Sequence, residues 1–435
     1  MKKASLTWLG LMLLSCNAFA QTPPAIPDAA ASDPKTLHIM EGFPPVADKT
    51  VRIADGSNWK FPQIRWSFSH FRELGPTANV WRGSGQPTAL PMAERKDLDS
   101  VVFTTLDGKS MTWAQSLPAN YTDGVIVLHK GRVVYEKYFG ALDAHTPHIL
   151  MSSTKSFVGT LAAMLVQEGK LEPTAMVTRY VPEMKDSAYA DATVRQVMDM
   201  TTGVQYSEKY ADPDAEIWQY IAAGGWFPVR PDYKGPRTLY GFRQNLKKEG
   251  DHGQAFAYKT PNAELLGWIV QRVSGKSMAQ LLSESVWQKI GAEEDALFAV
   301  DSVGTASAGG GLAATLHDFA RVGEMFRLDG HYNGQQIVPK AVIDDIRKGG
   351  NPEHFAKAGY VTLPGWSYRN MWWISHNEHG AFTMRGIHGQ ALWIDPKAEM
   401  VIARLASNPV AANPANDPIS LPAYMALAKY LMKSD

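Results

Sequence analysis

The chain keeps its strand-forming sequence at its two ends, and that split limits the folds open to it. "DGVIVLHKGRVVYEKYFG", residues 123–140, is two β-rich runs meeting at Lys130–Gly131, the pattern of a hairpin closed by a tight turn. Strand-like sequence returns only in "YRNMWWISH", "QALWIDP" and "EMVIARLAS", near the C-terminus. Asp395, Pro396 and Lys397 form a turn between the last two, and connections this short require antiparallel pairing. "PAYMALAKYLMK" then has apolar spacing suited to a helix lying on a sheet. About two hundred mostly helical residues separate the two ends. The economical arrangement is an α+β fold: one antiparallel sheet built from both chain ends, flanked by helices, with a mostly helical insertion over about 156–345. A cleft forms where the two parts meet, a usual place for a ligand. No repeat of fixed period interrupts this plan.

A chain of 435 residues is long enough for one large domain or two intimately packed ones. Lys plus Arg is 43 and Asp plus Glu is 43, so no net field recruits nucleic acid or an anionic membrane. "MKKASLTWLGLMLLSCNAFA", residues 1–20, has a basic start, an apolar middle and a small-residue end, and reads as a cleaved export signal. Its apolar run is too short to span a bilayer. The alternative for this segment is lipidation at Cys16, the one cysteine of the chain. After cleavage at Ala20 no thiol remains for disulfides, thiol catalysis or cysteine metal sites. Residues 21–59 are expected to be a leader and irregular segment, mobile to about 35, and residues 60–430 to form the folded domain. Residues 36–120 are rich in turn formers and carry no function legible from pattern.

Three stretches have chemistry in them. "HILMSSTKSFVGTLAAMLVQEGKLE" (148–172) puts Ser152 and Lys155 where a helix pattern opens, with Phe157, Leu161, Met164 and Leu165 on its buried face. S-x-x-K also occurs at Ser32 and Ser57, where no helix pattern follows. Residues three apart share a helix face, so Lys155 lies beside the Ser152 hydroxyl. The helix N-terminus favours a developing oxyanion and depresses a nearby lysine pKa, and a desolvated lysine can take a serine proton. The plainer alternative is a cap at Ser152 or Ser153 followed by a solvated lysine. "GQAFAYKTPNAELLGWIVQRVSG" (253–275) sets Tyr258 in a turn ahead of an amphipathic helix from Asn262. Such a tyrosine points into a cleft or half-buries in the core. In "TMRGIHGQALWIDP", Gly386 and Gly389 leave room for a substrate against the strand edge. A backbone N–H there can pair with that of Ser152 around an oxyanion. His388 either faces ligand or makes a structural hydrogen bond.

In order and rough spacing these stretches resemble S-x-x-K, Y-x-N and K-T-G of the serine β-lactamase and penicillin-binding-protein superfamily, on the class C β-lactamase and esterase side. "MSSTKSFVG", "TVRQVMDMTTGVQYSEKY", "YKTPNAELLGWI" and "GIHGQALWIDP" look most like the 6-aminohexanoate-dimer (nylon-oligomer) hydrolase group. The resemblance spans roughly residues 60–430 and implies a β-lactamase-like fold. It implies Ser152 as nucleophile, Lys155 and Tyr258 as the proton-transfer pair, and the Ser152 and Ile387 amides as the oxyanion hole. It further implies Tyr210, Asn262 and His388 on the substrate side. Two features depart from the family pattern. Asn262 is displaced from the Y-x-N spacing, and the third motif has no lysine in front: it reads Met384-Arg385-Gly386 or Ile387-His388-Gly389, with Arg385 able to replace the lysine in part. That lysine helps to bind the β-lactam carboxylate, so its absence favours a linear amide or ester. β-Lactamase or D-Ala-D-Ala carboxypeptidase activity, or a binding or cell-wall protein that has lost turnover, are the alternatives.

Other classes fit less well. No G-x-S-x-G or H-E-x-x-H occurs. "HNEH" (376–379) reads as a solvated turn rather than metal ligands, and "SAGGGLAATLHDF" lacks the Lys-Ser/Thr of a phosphate loop. The expectation is therefore no cofactor, no metal and no nucleic acid, with a small-molecule amide or ester as partner. Oligomeric state is not encoded in any pattern found.

Overall fold

A computed structural model of the chain describes residues 26–229 and 231–433. The expected export signal and its expected cleavage site fall on residues 1–20 and lie outside the described residues. The central sheet has seven strands, β1 (Thr122–His129), β2 (Arg132–Tyr138), β3 (Ser367–Arg369), β4 (Trp372–Ile374), β5 (Phe382–Arg385), β6 (Ala391–Asp395) and β7 (Met400–Ala406), in the order β3-β4-β5-β6-β7-β1-β2. Every pair is antiparallel. The two chain ends join where β7 pairs with β1, Met400 opposite His129. The expected α+β architecture is thus the one observed.

The β1–β2 hairpin turns at Lys130 and Gly131, with φ of 50° and 75°, the positive values a two-residue turn needs. "YRNMWWISH" is two strands, not one, because Asn370 and Met371 take φ of 49° and 63° and reverse the chain. β5 was not expected; Gly386 and a short polar stretch masked a run of four fully buried residues. A second, four-stranded sheet runs Thr77–Val80, Ala296–Ala299, Leu312–Ala314, His148–Ile149. It stitches the irregular N-terminal region to the middle of the chain. Residues 26–35 are less free than a mobile leader: Arg65 Nη1 donates to Ala29 O at 2.9 Å, and Tyr121 Oη to Pro27 O at 2.9 Å.

Four helices complete the frame: α1 (Ser153–Gln167), α2 (Thr260–Ser274), α3 (Leu316–Arg327) and α4 (Asp417–Lys433). α3 packs across β1, β6 and β7, and α4 packs on the short strand Val102–Thr104 and the helix Trp113–Ala119. α1 is buried on every side from Ser153 to Leu165, so its pattern is that of a core helix rather than an amphipathic one. It lies against the β3–β4 turn. A Cβ on Gly159 would stand 2.0 Å from Asn370 O, so only glycine permits this approach. Ser156 Oγ donates to Met371 O at 2.7 Å, and Trp372 Nε1 to Thr160 Oγ1 at 3.1 Å.

Candidate active site

The contact between α1 and the β3–β4 turn fixes the start of the helix, and with it Ser152. Met151 precedes it with φ 49°, a left-handed conformation that costs a non-glycine residue energy and is common at functional turns. Ser152 is 8% exposed, and α1 projects Lys155 back onto it. Lys155 Nζ lies 2.9 Å from Ser152 Oγ and 2.5 Å from Gly309 O. The lysine is 1% exposed, which excludes the solvated alternative. Burial lowers its pKa to about 8, against the opposing pull of the Glu208 and Glu264 carboxylates.

Tyr258 completes the group. Its ring centroid is 5.1 Å from Lys155 Nζ, and its hydroxyl makes a hydrogen-bonding contact with Ser152. Burial first, and then the Glu208 charge, hold its pKa well above the usual tyrosine value. The phenol therefore keeps its proton at neutral pH, while the neighbouring lysine can lose its own. α2 starts at Thr260, two residues before the expected Asn262, with Pro261 in its first turn.

The third stretch arrives at the end of β5. A Cβ on Gly386 would stand 2.5 Å from Leu150 O, so this glycine admits the chain's own backbone rather than a substrate. The close approach brings Ile387 beside Ser152, and both line the cleft. Neither amide donates to a carbonyl or side chain among the described residues. Two free N–H groups at one serine can bind an oxyanion.

The cleft has two lobes that share Ser152, Tyr210 and Ile387. One, of about 570 Å³, is walled by Phe71, Ile217, Ile221, Trp226 and Leu239. The other, of about 590 Å³, is walled by Glu208, Tyr258, Tyr360, Trp373, Arg385 and Asp417. Glu208 escaped the sequence reading although "SEKY" contains it. Its carboxylate accepts the Thr260 N–H and contacts the Tyr210 hydroxyl. Burial raises its pKa, and the Lys155 charge opposes that rise. No spacing rule marks such a residue, because Thr260 and Lys155, which make it matter, lie far from it in sequence. Tyr360, Trp373 and Asp417 were equally invisible, arriving from the far end of the chain.

Asn262 and His388, expected on the substrate side, line neither lobe. Asn262 is fully buried and accepts from Thr202 Oγ1 at 2.8 Å, behind the wall rather than on it. His388 sits at φ 61° with Nδ1 2.6 Å from Asn408 O. Burial lowers its pKa to about 4, so it is a neutral, structurally bonded ring that borders only the outer groove near Trp59 and Trp218. Tyr206 packs on Phe242, centroids 6.1 Å apart, away from the cleft. Lys259 is buried in an ion pair with Glu249 and donates to Val204 O. Arg385, at the position before the third-motif glycine, pairs with Asp417 and stacks over Trp373 at 5.1 Å. Among the described residues no group of three or more His, Cys, Asp or Glu side chains could hold a metal ion, and no helix is long and apolar enough to cross a membrane. Of "HNEH", His379 is bonded to Asp395 at 2.8 Å and His376 to Ser367 at 2.7 Å.

An antiparallel sheet covered by helices, with a serine and a buried lysine one turn apart at the start of the central helix, defines the serine hydrolases of the β-lactamase and penicillin-binding-protein superfamily. The chain belongs to the Beta-lactamase family, whose sequence pattern matches residues 115–421. It is related to the 6-aminohexanoate-dimer hydrolase of Paenarthrobacter ureafaciens, 34% identical over 397 residues that cover 91% of this chain and 94% of the relative. A solved structure from Bacillus anthracis, named after the same activity, is 32% identical with a TM-score of 0.81, covering 88% of this chain and 99% of that one. A penicillin-binding-protein homologue from Caulobacter crescentus shares the fold alone, at 15% identity and a TM-score of 0.55, covering 79% of this chain and all of that one.

Proposed function

We propose that the chain is an exported serine hydrolase that cleaves linear amides or esters through an acyl-enzyme on Ser152. Ser152 Oγ attacks the carbonyl carbon as its proton passes to Lys155 Nζ. The Ser152 and Ile387 amides hold the oxyanion. The intermediate collapses by breaking the bond to the leaving nitrogen or oxygen, which takes a proton from the Tyr258 hydroxyl. The proton held on Lys155 then replaces the one Tyr258 has given up. Water, activated by the same pair, releases the acid and restores Ser152.

The observation that carries this reading is Lys155: 1% exposed, 2.9 Å from Ser152 Oγ, with its pKa brought down to about 8. A lysine that can be neutral near physiological pH is a competent proton acceptor, which a solvated one is not. Preference for linear substrates over β-lactams is supported at Arg385. Its charge is already taken by Asp417, so a β-lactam carboxylate would have to displace that partner. Losing one charge-assisted hydrogen bond costs about 1.5–3 kcal/mol, or roughly one to two decades of affinity. Kinship to a 6-aminohexanoate-dimer hydrolase points the same way. Export rests on the basic, apolar and small-residue pattern of residues 1–20.

The test is a panel assay of the purified chain lacking residues 1–20. It compares short p-nitrophenyl esters and an ω-amino-acid linear dimer with a chromogenic cephalosporin and a D-Ala-D-Ala peptide. Turnover of the esters or the linear amide above the other two is expected. The reverse order would move the protein to the penicillin-recognising branch.

A further inference from the structure

The two lobes of the cleft differ in charge, and the proton-transfer group identifies which half of a substrate each one takes. Tyr258 lines the lobe of Glu208, Arg385 and Asp417 and does not line the other. A group that protonates the leaving atom must face it, so the leaving group departs into the charged lobe. The acyl chain, on the opposite side of the same carbonyl, enters the lobe of Phe71, Ile217, Ile221, Trp226 and Leu239.

No Asp, Glu, Lys, Arg or His side chain lines that second lobe. Phe71 and Trp226 close part of its wall as a stacked pair, centroids 3.7 Å apart. Glu264, Glu208 and Asp301 each accept from a backbone N–H of its wall, at Gly309, Thr260 and Leu239, but none of the three lines it, and Glu264 is 2% exposed. Glu264 accepts from Tyr220 Oη at 2.6 Å, Gly309 N–H at 2.8 Å, Ser307 Oγ at 3.1 Å and Arg243 Nη1 at 3.2 Å. Its charge is spent on those four donors. An ammonium group entering this lobe would lose its hydration with no anion to replace it, and such burial is strongly unfavourable. A methyl group in the same place would gain from leaving water.

We infer that the apolar lobe is the acyl subsite and that it takes uncharged acyl chains while rejecting an acyl chain that ends in an ammonium group. This rests on the assignment of Ser152 as the residue that carries the acyl group. It narrows the substrate class to amides and esters whose acyl chain carries no terminal charge, so that in the panel above the esters, and not the ω-amino-acid dimer, should carry the turnover.

The test compares two esters of equal shape at pH 7, p-nitrophenyl heptanoate and p-nitrophenyl 6-aminohexanoate, in which a terminal methyl stands where the other carries an ammonium. The heptanoate should be preferred by at least about tenfold in kcat/KM, the minimum expected if the charge must be desolvated. A ratio below tenfold overturns the inference. Ile221→Asp, which puts an anion in the lobe, should shift the ratio at least about tenfold towards the amino ester. A folded variant with an unmoved ratio overturns the assignment of this lobe as the acyl side; if the variant does not fold, the wild-type ratio decides alone. Turnover of both esters that survives Ser152→Ala would overturn the nucleophile reading itself, whatever the ratio, so the two failures are seen separately.

Discussion

Lys155 and Tyr258 are pushed in opposite senses by one environment. Burial strips water from both, which disfavours the ammonium of one and the phenolate of the other. The pair therefore rests as an available acceptor beside a held donor. kcat/KM on an ester should rise with pH and level off near the Lys155 pKa of about 8, because protons must leave the lysine before it can accept one. Glu208 sets where that limb falls. Its negative charge stabilises the Lys155 ammonium, so Glu208→Gln should move the limb to lower pH, and Glu208→Asp should return it towards its original place. A limb that stays put in Glu208→Gln would show that the carboxylate does not tune the lysine. Lys155→Met should lower kcat/KM about a hundredfold or more, the usual scale for a general acid–base group; near-normal ester turnover would remove Lys155 from the chemistry. Ser152 and Lys155 were legible in the sequence because their spacing is local to one helix turn. Glu208 was not, because what makes it matter is the fold bringing it to Thr260 and Lys155.

The serine is held in place by two close approaches of backbone to backbone. α1 presses on the β3–β4 turn at Gly159, and the end of β5 presses on Leu150 O at Gly386. A methyl at Gly159 would meet Asn370 O at 2.0 Å, a backbone atom that cannot swing aside. Gly159→Ala should therefore cost about 1–3 kcal/mol, as overpacking does, read as a lower urea midpoint. Its activity should fall by more than its loss of folded protein accounts for, since the same shift moves Ser152. An unchanged midpoint would mean that helix and turn can separate freely. The strands at both ends were legible from composition, and so was the sheet they make together. The break of "YRNMWWISH" into β3 and β4 was not, since Asn370 and Met371 reverse the chain with neither the Asn-Gly nor the Asp-Gly signature. The start of α2 at Thr260 was missed because Pro261 sits inside its first turn rather than before it.

At the scale of the whole molecule, the segment that pattern could not read proves to build part of the site. Phe71 walls the acyl lobe, and Trp59 borders it while donating from Nε1 to Trp226 O at 2.9 Å. Residues 36–120 wrap a finished core, and apolar residues such as Trp59 and Phe71 answer to a neighbour distant in sequence, Trp226. Trp59→Ala should loosen the acyl lobe and raise KM for long-chain esters more than for acetate, measured across a chain-length series; equal effects would take Trp59 off the acyl path. A chelator should leave turnover unchanged, because the proposed mechanism runs on Ser152, Lys155 and Tyr258 without a metal; a loss restored by zinc would point to a different mechanism. The central claim is that one serine forms a covalent intermediate, and it is tested most directly by intact mass. A fluorophosphonate should add a single adduct, carried by the peptide that contains Ser152 and Lys155, and Ser152→Ala should abolish it. Labelling that persists in Ser152→Ala, or no adduct on the folded wild type, would contradict the account.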